Sequence, residues 1–240
     1  MNKNTKQTRI FAAAMIAGGV VLIAALTALG TTKSTRTMAL ILWLLAVAAV
    51  YTVVRMGAVR RSVARMQEAN RLFTEAHDTD AYIAALQELL KTEEGFQVRQ
   101  VLHINLTVAY CDKRDYEKAL SALQSLPDPA KLNTANAAFY WVNLALCSFY
   151  LGKDAEGMAI LKEQEKRFAQ LRAAGQMGLA LAFLEIFEFL CQGDREGAAA
   201  LLENARGAWE NEKTAPDFAF MAQKCDVELQ PETEENGEEA

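Results

Sequence analysis

Two long stretches without a charge decide most of what this chain can become. Residues 10–29 read IFAAAMIAGGVVLIAALTAL and residues 37–54 read TMALILWLLAVAAVYTVV. At about 1.5 Å of rise per residue, twenty helical residues reach roughly 30 Å, the thickness of a bilayer's hydrocarbon core. Eighteen are just enough. Inside hydrocarbon every backbone N–H and C=O needs a partner within the chain, so both runs are expected as helices. Gly30 to Arg36 between them holds only Lys33, Arg36 and small polar residues, room for a tight turn and nothing more. Two buried soluble helices, allowed because neither run has a polar face, rank last; the main alternative is a cleaved signal peptide, with Lys3, Lys6 and Arg9 as its basic start and small residues from Ala25 to Gly30. That reading has to accommodate an apolar run longer than the usual 7–15 residues and a second run directly behind it. Ala14, Gly18 and Gly19 form a flat patch of small side chains, suited to seating the second helix or another subunit.

Charge divides the chain at the same place. Residues 1–65 carry nine Lys/Arg and no acid, whereas residues 66–240 carry sixteen Lys/Arg and thirty Asp/Glu, a net charge of -14. Lys3, Lys6 and Arg9 flank the first run, and Arg55, Arg60, Arg61 and Arg65 come after the second; the turn has two cations. The excess of cations beside the outer ends predicts both termini in the cytoplasm, with two spans in the inner (cytoplasmic) membrane. Arg55, Arg60, Arg61 and Arg65 are then placed against anionic headgroups. Nucleic acid is not expected as a partner, because the rest of the water-facing part is acidic and repels phosphates.

Beyond Met56 apolar residues recur at three- and four-residue steps, as in Tyr82, Leu86, Leu89 and Leu90, and no stretch alternates for long enough to be a strand. Breaks fall at residues 78–80, 93–95, 112–115, 127–129, 152–154, 193–194 and at Pro216. They predict about eight helices of 12–20 residues in the pairs 60–91, 96–126, 134–167 and 170–208, then a capping helix 217–229. The tail 230–240, with five Glu, a Pro and a Gly, has the composition of a disordered segment.

The helices repeat. A shift of 34 residues lays Leu72 on Leu106, Tyr82 on Tyr116, Ala85 on Ala119, Leu86 on Leu120 and Leu89 on Leu123. A small residue with Leu four positions later recurs as Ala85/Leu89, Ala119/Leu123, Gly157/Leu161 and Ala198/Leu202. A small side chain admits a neighbouring helix, and the Leu one turn on fills the space beside it. With Leu106-Thr107-x2-Tyr110 and Asp115-Tyr116-Glu117-Lys118-Ala119-Leu120 in the clearest copy, residues 66–210 resemble the tetratricopeptide repeat (TPR) family. They depart from its pattern where the closing Pro is missing, where Ser148 stands in place of an aromatic, and in the long last two periods. With the two uncharged runs as an N-terminal transmembrane helical hairpin (1–65), the resemblance implies an all-α chain that continues as a TPR-like α-solenoid of about four helix pairs (66–229). In this family the first helix of each pair lines a groove for a protein or peptide partner. Asn70, Thr74, Asn105, Val108, Asp112, Phe139 and Asn143 are the matching positions here. Only Asn105 fits the family's clamp for a C-terminal carboxylate; Phe139 and Asn143 stand where that clamp uses cations.

Catalytic patterns are scarce. There is no phosphate loop and no G-x-S-x-G nucleophile elbow. His77 and His103 are 26 residues apart, and Cys111, Cys147, Cys191 and Cys225 lack the close pairing of a zinc site. The cysteines read as reduced, buried core residues, and His103, inside an apolar helix, as a core or groove residue. Glu185 and Glu188 share a helix face and are the best candidates if the chain is an enzyme. No cofactor, metal or small-molecule substrate is expected. The favoured function is a membrane-anchored scaffold or adaptor. A small integral subunit, in which the hairpin is the working part, is the alternative; an enzyme with an unrecognised site comes third.

Overall fold

The computed structural model describes residues 3–227, with side chains for all of these except 3–12, 55 and 58. The expected tail and the side chains of Lys3, Lys6, Arg9 and Arg55 lie outside the described residues. Among the described residues the chain is all-helical, without a strand. The α-helices are α1 (Lys3–Ala28), α2 (Lys33–Thr74), α3 (Thr79–Thr92), α4 (Phe96–Asp112), α5 (Tyr116–Gln124), α6 (Thr134–Tyr150), α7 (Asp154–Glu163), α8 (Glu165–Ala173), α9 (Gly178–Gln192), α10 (Arg195–Trp209) and α11 (Ala215–Cys225). A 3-10 turn, Pro129–Lys131, precedes α6. The chain forms two compact units that part between Val98 and Arg99, in the first turn of α4.

In the first unit α2 is 42 residues long and is the one described helix long and apolar enough to cross a membrane; α1 adds a shorter apolar stretch, Ala13–Ala28. None of the residues in the apolar window of α2 is buried. The turn before α2 is built from three devices. Gly30 adopts φ +69°, a left-handed conformation that costs glycine little. Thr32 caps α2 by accepting from the Thr35 N–H at 3.3 Å. Arg36 reaches back to α1, donating through Nε and Nη2 to the Thr31 carbonyl at 3.2 and 2.9 Å and through Nη1 to Thr27 Oγ1 at 3.2 Å. Its cation thus lies at the negative end of the α1 dipole. The small patch of α1 is taken up by α2: a Cβ on Gly18 would stand 2.7 Å from the Trp43 ring.

No break separates the apolar run of α2 from the polar half of the same helix. The helix passes through Arg65, the expected domain boundary, and ends at Thr74, with Ala69 buried and facing α3. On α3, Tyr82, Leu86 and Leu89 are buried; the Tyr82 hydroxyl donates to Asn70 Oδ1 at 2.8 Å, and its ring lies 5.1 Å from that of Phe73.

The second unit is a series of helices in which chain neighbours pack together: α5 on α6, α6 on α7, α9 on α10, α10 on α11. Aspartate begins several of them. Asp115 and Asp194 accept from the N–H groups of Lys118 and Gly197 at the starts of α5 and α10, as Asp78 does from Ala81 at the start of α3. The recurring small residue sits where two helices touch: Ala119 and Ala198 are fully buried, with Leu123 and Leu202 almost so. Gly157 is the extreme case. A Cβ there would stand 2.6 Å from the Phe149 ring, itself stacked at 4.8 Å on Phe187.

Element boundaries differ from expectation in three places. The expected helix ending at residue 167 breaks at Gln164 (φ -102°, ψ 14°) and resumes as α8 to Ala173. The next helix starts at Gly178 rather than at 170, because Gly175 and Met177 take left-handed conformations that stop α8 and start α9. The last helix is 215–225 rather than 217–229, ended by Asp226 at φ +57°. Nine helices of 9–17 residues therefore come after α2 among the described residues.

Replacing Gly157 with Ala tests the packing. The methyl has no room, because the Phe149 ring is held by Phe187, and overpacking of this kind costs about 1–3 kcal/mol. Gly207, in α10, has open space around its would-be Cβ. Gly157→Ala should lower the thermal midpoint by several degrees despite its better helix propensity, and Gly207→Ala should raise it slightly, by about 0.5–1 kcal/mol of stability. Equal midpoints for the two variants would show that the Gly157 contact is not tight.

Candidate functional site

The expected groove residues separate. Asn70 and Thr74 belong to the first unit, where Asn70 accepts from Tyr82 and Thr74 Oγ1 donates to the Asn70 carbonyl at 3.1 Å. In the second unit Asn105 and Val108 are half-buried on α4 and do not line the cleft that holds Phe139 and Asn143, and Asp112 pairs with Lys213 at 2.6 Å.

Phe139 and Asn143 come together. They line a cleft of about 450 Å³ on the second unit, with Leu146 and Tyr150 of α6, Leu179 and Phe183 of α9, and Cys111 and Tyr116 beside them. The helix period explains the pairing: residues four apart on α6 stand one above the other on one face. Phe139 is 43% exposed, so its ring is open to solvent at the cleft. Asn143 is partly committed, its Nδ2 donating to the Phe139 carbonyl at 2.7 Å, while the Cys111 thiol points at its Oδ1 from 3.9 Å.

One side of the cleft is polar and comes from distant parts of the chain. Arg114, held at φ +57° in the α4–α5 turn, donates to both carboxylate oxygens of Asp217 at 3.2 and 3.0 Å and to the Lys213 carbonyl at 3.3 Å. This two-pronged geometry gives an ion pair direction as well as attraction. The Tyr116 hydroxyl also donates to Asp217, at 3.4 Å, and the Tyr116 ring lies flat on Tyr150, 4.1 Å between centroids. Burial, with the Asp217 charge behind it, pushes the Tyr116 hydroxyl well above its ordinary pKa, so the phenol stays neutral. Cys111, Tyr150 and Asp217 have no local signal in the sequence; Asp217 stands 103 residues from Arg114.

The remaining candidates lie elsewhere. Cys147 and Cys225 are buried, as expected, but Cys191 is exposed on the outer face of α9 and Cys111 is half-buried. Cys111 and Cys147 face each other with 3.7 Å between sulfurs, and that contact, with burial, raises the Cys111 pKa. Glu185 is drawn to Arg172 at 3.8 Å, whereas Glu188 accepts from Gln192 at 3.5 Å. Each thus has its own neighbour. Among the described residues no three His, Cys, Asp or Glu side chains group so as to hold a metal.

His103 is 7% exposed, and neither ring nitrogen has a hydrogen-bond partner among the described residues. Burial lowers its pKa below the ordinary 6.5 and the Arg99 guanidinium adds to this, while the backbone at Ala122 opposes both. The unfolded chain therefore takes up this proton first as pH falls. The ring's contribution to stability is complete above about pH 6.5 and is lost as pH drops toward the lower folded value. Thermal midpoints between pH 7.5 and 5.5 should fall in the native chain and fall less in His103→Leu; identical slopes would remove the ring from the pH response. Compared with protein-family models, with curated proteins and with solved structures, the chain matches none.

Proposed function

We propose that this chain is a membrane-anchored adaptor: α1 and the first part of α2 cross the bilayer, and a TPR-like series of helix pairs holds a partner protein or peptide at the membrane surface. Two spans with both termini in the cytoplasm accord with the charges that flank the uncharged runs. The apolar window of α2, in which no residue is buried, suits a lipid solvent. Trp43 already occupies the Gly18/Gly19 patch of α1, which favours an anchor over a subunit whose hairpin seeks another helix.

The observation that carries the adaptor reading is the cleft around Phe139 and Asn143. It joins an exposed aromatic ring and an apolar floor to a polar edge, the mixture that lets a few anchoring side chains dominate a protein interface. The pairs α6/α7–α8 and α9/α10 succeed one another as TPR-like repeats would, and α11 covers the open side of the last, burying Phe218 and Met221. The bound segment is read as mainly apolar, because the cation at the polar edge, Arg114, is already engaged by Asp217 rather than open to a terminal carboxylate.

A photo-crosslinking residue placed at 139 in the full-length chain, in its own membranes, should give one discrete adduct. The same residue at Glu203, exposed on α10, should not. The adduct should weaken about tenfold or more when Leu179→Glu puts a charge in the cleft. Equal adducts from positions 139 and 203, or none from either, would set the adaptor reading aside.

A further inference from the structure

The first unit holds a cleft that the adaptor reading does not use. It has a volume of about 1180 Å³, larger than the roughly 300–1,000 Å³ typical of small-molecule pockets, and lies between α2 and the α3–α4 turn. Tyr51 and Val54, in the last turn of the uncharged run, form one end. Arg61 stands seven residues further along the same helix, about 10 Å at 1.5 Å per residue. If Val54 marks the hydrocarbon edge, Arg61 is at headgroup depth, since the interfacial layer is about 5–8 Å thick on each side and an arginine side chain reaches several ångströms.

The charges in this cleft are unevenly satisfied. The Glu93 carboxylate, almost fully buried, accepts from Ser62 Oγ at 2.7 Å and pairs with Arg65. That pair is settled. Arg61 is different: its Nε donates to the Gly57 carbonyl of its own helix at 3.3 Å, and it has no carboxylate partner among the described residues. Glu94, on the turn, has one carboxylate oxygen buried without any hydrogen-bond partner among the described residues. Arg61 and Glu94 line the same cleft without pairing with each other. A buried, unpaired carboxylate oxygen carries a large desolvation cost, which an N–H donor would relieve. Val59 and Phe96, both exposed, give the cleft apolar walls beside these charges.

We propose that this cleft seats one zwitterionic phospholipid with a primary ammonium, of the phosphatidylethanolamine class. Its phosphate meets Arg61, its ammonium meets Glu94, and an acyl chain lies along Tyr51, Val54 and Phe96. The net charge of Arg61, Arg65, Glu93 and Glu94 is zero, which suits a zwitterion better than an anionic lipid. The unpaired carboxylate oxygen selects the ammonium: a primary ammonium offers three N–H donors, whereas the trimethylammonium of phosphatidylcholine offers none. The proposal rests on the membrane placement of α2.

The test is native mass spectrometry of the full-length chain, released from neutral detergent after incubation with phosphatidylethanolamine, phosphatidylcholine or phosphatidylglycerol. Flotation on phosphatidylcholine vesicles is run in parallel. One phosphatidylethanolamine should stay bound, at least tenfold more than phosphatidylcholine and more than phosphatidylglycerol. Glu94→Gln should reduce phosphatidylethanolamine to the phosphatidylcholine level, and Arg61→Gln should reduce both, with helix content by circular dichroism unchanged. Equal retention of the two zwitterionic lipids, stronger retention of phosphatidylglycerol, or no retained lipid would overturn the site. The lipid ranking of the native chain decides this even if a variant misfolds. A chain that floats without preferring phosphatidylethanolamine loses only the site; a chain that does not float loses the membrane reading itself.

Discussion

The backbone continuity of α2 is the constraint on which the rest depends. One helix carries the uncharged run 37–54, the arginines at 60, 61 and 65, and the buried Ala69 that meets α3. Helical hydrogen bonds satisfy the backbone equally well in hydrocarbon and in water, so a single rod can carry an apolar stretch and a polar one without a break in its ladder. Leu42, Leu44 and Leu45 stand exposed on one part of it; Arg65 and Ser62 bind Glu93 on another. With no flexible joint after residue 54, whatever fixes the apolar part also fixes the first packed pair, α2 and α3.

In the second unit the governing contact is a small residue against a large one. Gly157 admits the Phe149 ring, Phe149 stacks on Phe187, and Tyr150, the next residue along α6, stacks on Tyr116. Neighbouring positions on a helix point about 100° apart, so Phe149 serves the core while Tyr150 lines the cleft. The cleft is therefore a consequence of the packing: its floor is the outer side of the aromatic layer that holds α6 against α9. Arg114 and Asp217 then tie the α4–α5 turn to α11 across the polar edge.

Much of this architecture is legible in the residues, because it depends on short-range physics. Uncharged runs, aspartate caps at 78, 115 and 194, and the recurring Ala/Gly–Leu pairs each act within a few turns of helix. The 34-residue recurrence puts Ala119 and Leu123 at a buried contact. The end of α2 is not legible: nothing between Arg65 and Thr74 differs in composition from an ordinary amphipathic helix, so the expected boundary falls inside a continuous rod. The stop at Gly175 and Met177 is equally hidden, since a left-handed residue such as Met177 has no sequence mark. Of the cleft, the resemblance to the repeat family points to Phe139 and Asn143. It cannot point to Asp217 and Arg114, because no periodicity links residues that far apart. The exposure of Cys191 escapes for a related reason, as a face turned outward at a helix end differs from a core face only in what happens to pack there.

The most direct measurement is a nitroxide scan along residues 45–74 of the full-length chain in bilayers, reading collision with oxygen and with a water-soluble nickel chelate. Oxygen access should dominate through Val54 and give way near Arg60. Beyond that point both signals should oscillate with the 3.6-residue helical period, with minima at Ser62 and Ala69. Water access throughout 45–54, or a loss of helical period between residues 55 and 65, would contradict a single rod that leaves the membrane and packs directly against α3.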